Sequence, residues 1–376
     1  MILLDRVILL RFLGNFLLLF AIFFVLAVTL DVVLQIDEFV DVAQRAVETG
    51  RFESMPVAVA MAILDFHGPR IFQFFGFMVG LVAVAAAGFT LSSMVKHREL
   101  VAIASAGIGL VRVGLVILAG AFALNLLAVV NGELVLPRIA PMLLRDHDAI
   151  LTRGLRAYEV PLTRDADNDL LRAVRFDPDE GRLDEPLFLR RDDVGRAVER
   201  ITASSAVWEE AGSAWVLEGG ESIEIRPAGD EALSADRVVR TARPVERFET
   251  DLSPTSLLVR RSAEYAQLLG LVEIQRLRRE AGPEGDVLAR TYYGRFAQVA
   301  VNLLVLATVL PCFLLREPRP LLGQSAKAAA IAVPGVLGSL AIMSVELPGL
   351  PPALSSFLPA ALLLPIAVAR VAWLRS

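Results

Sequence analysis

Residues 71–91 read IFQFFGFMVGLVAVAAAGFTL, a run of 21 residues without a charge. An α-helix rises about 1.5 Å per residue, so about 20 apolar residues cross the roughly 30 Å of hydrocarbon in a bilayer. The run is therefore long enough to span a membrane. It decides the fold class because comparable runs recur at both ends of the chain.

Five further apolar runs of similar length lie at 7–30, 110–130, 296–315, 328–345 and 354–374. Hydrophobic residues make up 55% of the 376 residues, above the about 45–50% of soluble domains. The sequence thus predicts an integral membrane α-helical protein with six transmembrane helices, in two groups of three. A signal peptide is the competing interpretation of the first run, but that run is too long and no small-x-small cleavage site follows it.

Basic residues in short loops predict the orientation of the spans. They fall in four clusters: Arg6 and Arg11; Lys96, Arg98 and Arg112; Arg316, Arg319 and Lys327; Arg370 and Arg375. All four clusters lie on one side of a six-span topology, so we expect that side, and both chain termini, to be cytoplasmic. Residues 35–54 form a loop without basic excess on the other side. The apolar stretch 55–66 is too short to cross, so we expect a separate helix at the outer interface or packed against the second span.

Between the two groups of spans the sequence becomes polar. Short alternating runs separated by turn residues in 146–252 predict an all-β sandwich or jelly-roll-like domain outside the membrane. Within it, AVWEEAGSAWVL (206–217) predicts a hairpin with Trp208 and Trp215 near its turn. Residues 253–295 repeat apolar positions every three to four residues and predict one or two surface helices that return to the fourth span. The expected division is therefore 1–145, 146–252, 253–295 and 296–376.

The chain lacks the sequence motifs that several classes of function require. There is no G-x-x-x-x-G-K-[ST] loop for ATP and no H-E-x-x-H motif, and His67, His97 and His147 fall near span ends. We therefore predict no catalytic residues and no metal ligands. The net charge of −5 gives no basis for nucleic acid as a partner. Charges are scarce at mid-membrane, which argues against an ion-coupled carrier and leaves a partner as the energy source.

The segment KHRELVAIASAGIGLVR (96–112) lies on the basic side between the second and third spans. A helix over about 94–109 would place Leu100, Ile103, Ala104, Gly107, Ile108 and Val111 on one face. Arg98 and Glu99 would form its charged N-terminal end, where an arginine of another protein could pair with the carboxylate. The segment is thus either a docking helix or a charged loop followed by the start of the third span.

Three motifs carry a resemblance to a known family. RELVAIASAGIG (98–109), NGELVLP with Asn131, Glu133 and Pro137, and YYGRFAQVAVNLLVLATVLP with Arg295 and Ala297 resemble segments of the LptF/LptG lipopolysaccharide-export permeases. The order of three spans, an outside β domain, a helical return and three spans is similar as well. One feature of the third motif departs from the family. Its usual proline is missing, and Gln298 and Val299 lie near that position.

The resemblance implies a permease of the bacterial inner membrane that pairs with a paralogous or identical subunit and is driven by a dimeric cytoplasmic ATPase. ATP and Mg²⁺ would bind the ATPase, and this chain would carry no cofactor. The implied ATPase-coupling residues are Glu99, Arg98, Leu100, Ile103 and Gly107. Lipopolysaccharide or a similar large amphiphile would enter between the first span of one subunit and the fifth of the other, and would pass through the periplasmic domain to a jelly-roll bridge protein. The implied lipid path consists of Phe16, Phe20, Phe24, Asp31, Pro334, Leu337 and Ala341.

One region departs from the family in charge. Some members place lysines near the outer end of span one to hold lipid phosphates, whereas this chain has Asp31, Asp37, Glu38 and Asp41 there. The subunit would leave phosphate binding to its partner, bridge through divalent cations, or move a different lipid. Two other classes remain open at this stage: a non-transport membrane scaffold or signalling subunit, and a four-span exporter-type permease.

Overall fold

The computed structural model describes residues 3–144, 157–192, 194–225, 242–261, 263–280, 285–314, 321–345 and 349–373. The chain divides into two compact units. The membrane unit consists of Met1–Ile139, Leu269–Ile274 and Asp286–Ser376, and the β unit consists of Ala140–Leu268 and Gln275–Gly285.

Among the described residues, six helical segments of the membrane unit are long and apolar enough to cross a bilayer. They are α1 (Leu3–Leu34), α3 (Met55–Lys96), α5 (Leu110–Val130) with its continuation into α6 (Leu136–Leu143), α10 (Gly285–Val309), α11 (Leu321–Ser344) and α12 (Pro352–Trp373). A π-helical turn, Asn131–Val135, joins α5 to α6. The six-span prediction is confirmed, and the four-span alternative is wrong.

The segment around the start of the second span corrects two expectations. Residues 55–66 are not a separate helix: they are the first turns of α3, which runs unbroken through Pro69 for 42 residues. At about 1.5 Å per residue α3 is about 63 Å long, roughly twice the hydrocarbon thickness. The expected loop after span one contains a helix, α2 (Ile36–Glu48). Its buried side chains recur every three to four residues, which is the period of a helix and is not detected by counting charges. They are Phe39, Val42, Ala43 and Ala46.

The spans pack through small residues and polar bonds. Asn302 of α10 donates from Nδ2 to Asn125 Oδ1 of α5 at 2.8 Å, and its Oδ1 accepts from Gln298 at 3.0 Å. A Cβ on Gly80 of α3 would lie 2.1 Å from Asn302 Oδ1, so only glycine fits there. Neighbouring helices in lipid associate through such close approach and interhelical hydrogen bonds.

The β unit contains one curled antiparallel sheet, which bears out the predicted β domain. Nine strands are described: β1 (Tyr158–Arg164), β2 (Leu170–Asp177), β3 (Arg182–Arg191), β4 (Ala197–Thr202), β5 (Ser205–Glu209), β6 (Ala214–Glu218), β7 (Glu221–Glu224), β8 (Arg243–Pro244) and β9 (Arg247–Glu249). The sheet forks at β3. One end of this long strand pairs with β4, followed by β7 and β8; the other end pairs with β5, followed by β6 and β9.

Aromatic side chains fill the inside of the curl. Trp215 and Phe176 are fully buried, and the Trp215 indole donates to the Leu252 carbonyl at 2.9 Å. The predicted hairpin is confirmed: Trp208 and Trp215 are directly opposed across β5 and β6, with ring centroids 5.2 Å apart. In the described residues, the return segment is helical, as predicted, with α7 (Pro254–Arg261), α8 (Ala263–Leu268) and α9 (Leu271–Glu280); residue 262, between α7 and α8, lies outside the described residues.

Candidate functional site

A short helix between two spans is the centre of the candidate site. This helix, α4 (Glu99–Ser105), follows the end of α3 after a two-residue turn. Arg98 is left-handed there, with φ 58°, which reverses the chain within that turn. The carboxylate of Glu99 lies in the first turn of the helix, where it complements the helix dipole.

The C-terminal end of α4 corrects the predicted helix over 94–109. The amide of Ile108 donates to the Ile103 carbonyl at 3.2 Å, and the amide of Gly107 donates to the Ala104 carbonyl at 3.0 Å. Gly107 has a φ of +77°, so it is the left-handed residue that ends a helix in a Schellman motif. Gly107 was expected on the docking face, but it terminates the helix instead.

The apolar face of α4 is turned into the protein. Leu100 and Ile103, expected to contact the ATPase, are buried in the core of the membrane unit. The side chain of Val101, in contrast, is 57% exposed, and Ala102, Ala104 and Ser105 are exposed with it. One face of α4 therefore packs against the membrane unit. The opposite face, a small and mostly apolar surface, is exposed.

Glu99 already has a partner within the chain. Arg11 Nη1 of α1 donates to Glu99 Oε2 at 2.6 Å, and the Glu99 side chain is one-third exposed. A second ion pair lies close by in sequence: Arg112 of α5 binds Asp5 of α1 through two hydrogen bonds, of 3.1 and 2.9 Å. In the sequence these arginines indicate only the orientation of the spans, since nothing in one sequence pairs residues 88 and 107 positions apart.

The residues of the expected lipid path lie in two different environments: those on α1 are packed within the chain, and those on α11 are exposed. Phe16 and Phe20 of α1 are buried against Phe74 and Phe75 of α3, with ring centroids 5.7–6.3 Å apart across the two helices. Phe24 continues the stack and is partly buried. These rings pack within the chain instead of facing outward. The outward face of α1 carries aliphatic side chains instead: Leu17, Leu18, Ile22, Val25 and Leu26.

The three residues expected on the fifth span lie on an outward face of α11. Pro334, Leu337 and Ala341 follow one another at helical spacing, and all three are exposed. Val336, on the opposite side, is buried in the membrane core. This outward face is therefore open to lipid or to another membrane chain.

The acidic end of α1 is organised around Asp31. Gln35 donates to its Oδ1 at 2.7 Å, and His67 Nε2 of α3 lies 3.3 Å from its Oδ2. Asp37, Glu38 and Asp41 project from the exposed side of α2. Among the described residues, no three acidic, histidine or cysteine side chains converge closely enough to hold a metal ion.

Two motif residues meet at the far end of α5. Glu133, in the π-helical turn, forms an ion pair with Arg295 of α10, and its Oε2 accepts the amide of Leu271 at 2.7 Å. Arg295 donates in turn to the Leu269 carbonyl. The pair thus ties the third span, the fourth span and the start of α9 together within the membrane unit.

The comparison with protein families agrees with these features. The model of the lipopolysaccharide export system permease LptF/LptG matches residues 6–373, nearly the whole chain. A search of curated proteins found no match. Six spans, an inserted β unit and a match of this extent fit one family of transport permeases. The chain belongs to the LptF/LptG family and is a multi-pass inner-membrane permease of a lipopolysaccharide export system.

Proposed function

We propose that this permease is driven by a separate ATPase that docks on α4. The observation that carries the proposal is the mounting of that helix. Leu100 and Ile103 anchor it in the core, while Val101 and part of the Glu99 carboxylate stay accessible. A helix anchored in this way can transmit a push from outside to the spans on either side. ATP and Mg²⁺ would be held by the ATPase.

The charge distribution supports the orientation that docking requires. Arg6, Arg11, Lys96, Arg98 and Arg112 gather at one end of the first three spans. We call this the basic end. Basic residues near span ends favour the cytoplasmic side. We therefore place the basic end and both termini in the cytoplasm, and the β unit in the periplasm.

The exposed spans support a route for the lipid. The outward faces of α1 and α11 present aliphatic side chains such as Leu17 and Leu337. We propose that a paralogous or identical subunit packs near these faces and that lipopolysaccharide or a similar large amphiphile enters between α1 of one subunit and α11 of the other. The β unit would then pass the lipid to a periplasmic bridge of jelly-roll domains.

The acidic end of α1 limits how phosphates can be held. Asp37, Glu38 and Asp41 are exposed carboxylates, which repel lipid phosphates. Three cases follow. The partner subunit binds the phosphates, divalent cations bridge the phosphates to these carboxylates, or the lipid has no phosphates. Lipids bound to the complex, purified with and without a chelator and identified by mass spectrometry, separate these three cases.

The proposal is tested at Glu99. In Glu99→Ala, co-purification of the ATPase with the permease in mild detergent should fall about tenfold or more, because a hydrogen bond to a charged group contributes about 1.5–3 kcal/mol. Lipid export should fall with it. Ser105→Ala is the matched control, since Ser105 is exposed on the same helix and its hydroxyl donates only within that helix, to Ala102 O. Normal ATPase recovery and normal export in Glu99→Ala would remove the docking role.

A further inference from the structure

The first turns of α1 are attached at two points to the segment that contains α4. Arg11 pairs with Glu99 at the start of this segment, and Asp5 pairs with Arg112 at its end, in the first turn of α5. The segment between these attachments, residues 99–112, contains α4, its glycine-terminated end and the first turn of α5. Both attachments are at the basic end.

The two attachments lie on different faces of α1. Asp5 and Arg11 are six residues apart, which corresponds to about 9 Å along the helix axis and about 240° around it. Contacts at two heights and on two faces oppose both sliding and rotation of α1 against the segment. The Asp5–Arg112 pair adds direction because its two parallel hydrogen bonds fix the plane of the guanidinium.

Packing beneath the ion pairs makes this connection stiff. Ile8 and Phe12 of α1 are buried in the same core cluster as Leu100 and Ile103 of α4. A Cβ on Gly120 of α5 would lie 3.0 Å from the Phe12 ring, so α1 and α5 approach closely. A displacement of α4 therefore acts on the base of α1 through both packed side chains and the two ion pairs.

We propose that Arg11 and Arg112 are positioning residues that convey movement of α4 to α1. The inference rests on the proposed function, in which α4 receives the ATPase and α1 borders the lipid. Glu99 then has two roles. Its Oε2 is held by Arg11, and the remaining lone pairs of the carboxylate are left for a cationic group of the ATPase.

The energetics favour transmission over folding as the role of these pairs. Arg11 and Glu99 are both partly exposed, whereas Arg112 is partly exposed and Asp5 is almost buried. Exposed ion pairs contribute little to stability, because solvent screens the charges and ordering long side chains costs entropy. Arg11→Gln should therefore remain folded. A buried carboxylate needs a hydrogen-bond donor, and Arg112→Gln keeps an amide donor for Asp5.

The test uses the complex of permease subunits and ATPase, reconstituted in phospholipid vesicles loaded with lipopolysaccharide. The variants are Arg11→Gln and Arg112→Gln, with Arg6→Gln as the matched control because Arg6 is an exposed arginine of the same helix. Both test variants should keep the ATPase bound and hydrolysing ATP. Lipid released per ATP should fall about fivefold or more, the lower end of typical coupling between sites. The exchange Asp5→Arg with Arg112→Asp should restore most of this ratio.

The outcomes separate the inference from the proposed function. If Glu99→Ala loses the ATPase while Arg11→Gln and Arg112→Gln release as much lipid per ATP as Arg6→Gln, docking stands and the inference is wrong. If Arg11→Gln itself loses the ATPase, Arg11 belongs to the docking site, and the inference is wrong for that residue. If Glu99→Ala keeps the ATPase and exports normally, the proposed docking is wrong regardless of the arginines.

Discussion

The buried face of α3 and the inside of the curled sheet are built from different side chains. Alanine is the most frequent buried residue of α3, at five of its 14 buried positions: Ala58, Ala62, Ala83, Ala86 and Ala87. The inside of the curled sheet is filled by large rings: Phe176, Phe188, Trp215 and Phe248. Both sets are almost fully buried, so the difference lies in volume and not in exposure.

The solvent explains this difference. The β unit buries its apolar surface from water, and large rings contribute most to that gain. Lipid tails are as apolar as the helices, so spans gain little from bulk and associate through close contact and polar bonds. Removal of volume should therefore do most damage in the β unit, whereas addition of volume should do most damage between spans.

The largest expected effect is in the β unit. Trp215→Ala removes a fully buried ring and leaves the Leu252 carbonyl without its indole donor. Such truncations cost about 3–5 kcal/mol. Hydrogen exchange of the β3 and β6 amides in the full chain should report this loss as lower local stability.

The matched control is the opposite residue of the same hairpin. Trp208 pairs with Trp215 across the strands but is only partly buried. Trp208→Ala should cost clearly less than Trp215→Ala. Equal losses would show that the hairpin pair, and not the filled interior of the sheet, stabilises the β unit.

The second effect tests the opposite rule in the membrane unit. Gly80→Ala places a methyl group against Asn302 Oδ1, which is already bonded to Gln298 while its amide is bonded to Asn125. The amide cannot move away without breaking these bonds, so we expect a loss of about 1–3 kcal/mol from overpacking. Unfolding of the full chain in detergent by increasing dodecyl sulfate measures it.

Gly76, one turn earlier on α3, gives the control. Nothing lies within 4 Å of a Cβ built there. Gly76→Ala should be neutral or stabilise the helix, since alanine is favoured over glycine by about 1 kcal/mol in helix interiors. If both alanines act alike, close approach at Gly80 is not what holds α3 against α10.

Features set by local composition followed from the sequence. The six spans, the β insertion and the tryptophan hairpin were predicted because each depends on length, charge or alternation along a short stretch. The end of α4 was not, because periodicity continues past Ser105 while the left-handed Gly107 ends the helix. The sequence did not predict that α3 is continuous, because residues 55–66, taken as a separate apolar stretch, are too short to cross the membrane.

Features set by tertiary contact did not follow. One sequence places Phe16 and Phe20 on one face of a helix, but it cannot say that this face meets Phe74 and Phe75 of α3 rather than lipid. For the same reason the Asn125–Asn302 bond and the Arg11–Glu99 pair were invisible. The usable signal was an asparagine or a charge inside an apolar span, which normally has a partner on a neighbouring helix.

The smallest expected effect concerns a buried charge in the β unit. Burial raises the pKa of Asp169, and the nearby charge of Asp165 adds to the effect, while the amide of Arg191 acts against it. An acid with a raised pKa in the folded state binds its proton more tightly than in the unfolded state. Its contribution to stability is therefore greatest at low pH and declines as pH rises from the unfolded value of about 4 through the raised pKa.

Asp169→Asn should remove this decline and keep Oδ1 as the acceptor for the Arg191 amide. Between about pH 4 and pH 7, the urea midpoint of the β unit, followed by tryptophan fluorescence, should fall less in the variant than in the original chain. Glu159→Gln on β1, where the carboxylate is mostly exposed, is the matched control for the replacement of an acid by its amide. A steeper decline in Asp169→Asn would mean that Arg190, 3.7 Å away, stabilises the carboxylate more than burial destabilises it. In that case the β unit would tolerate a buried charge better than its aromatic core suggests.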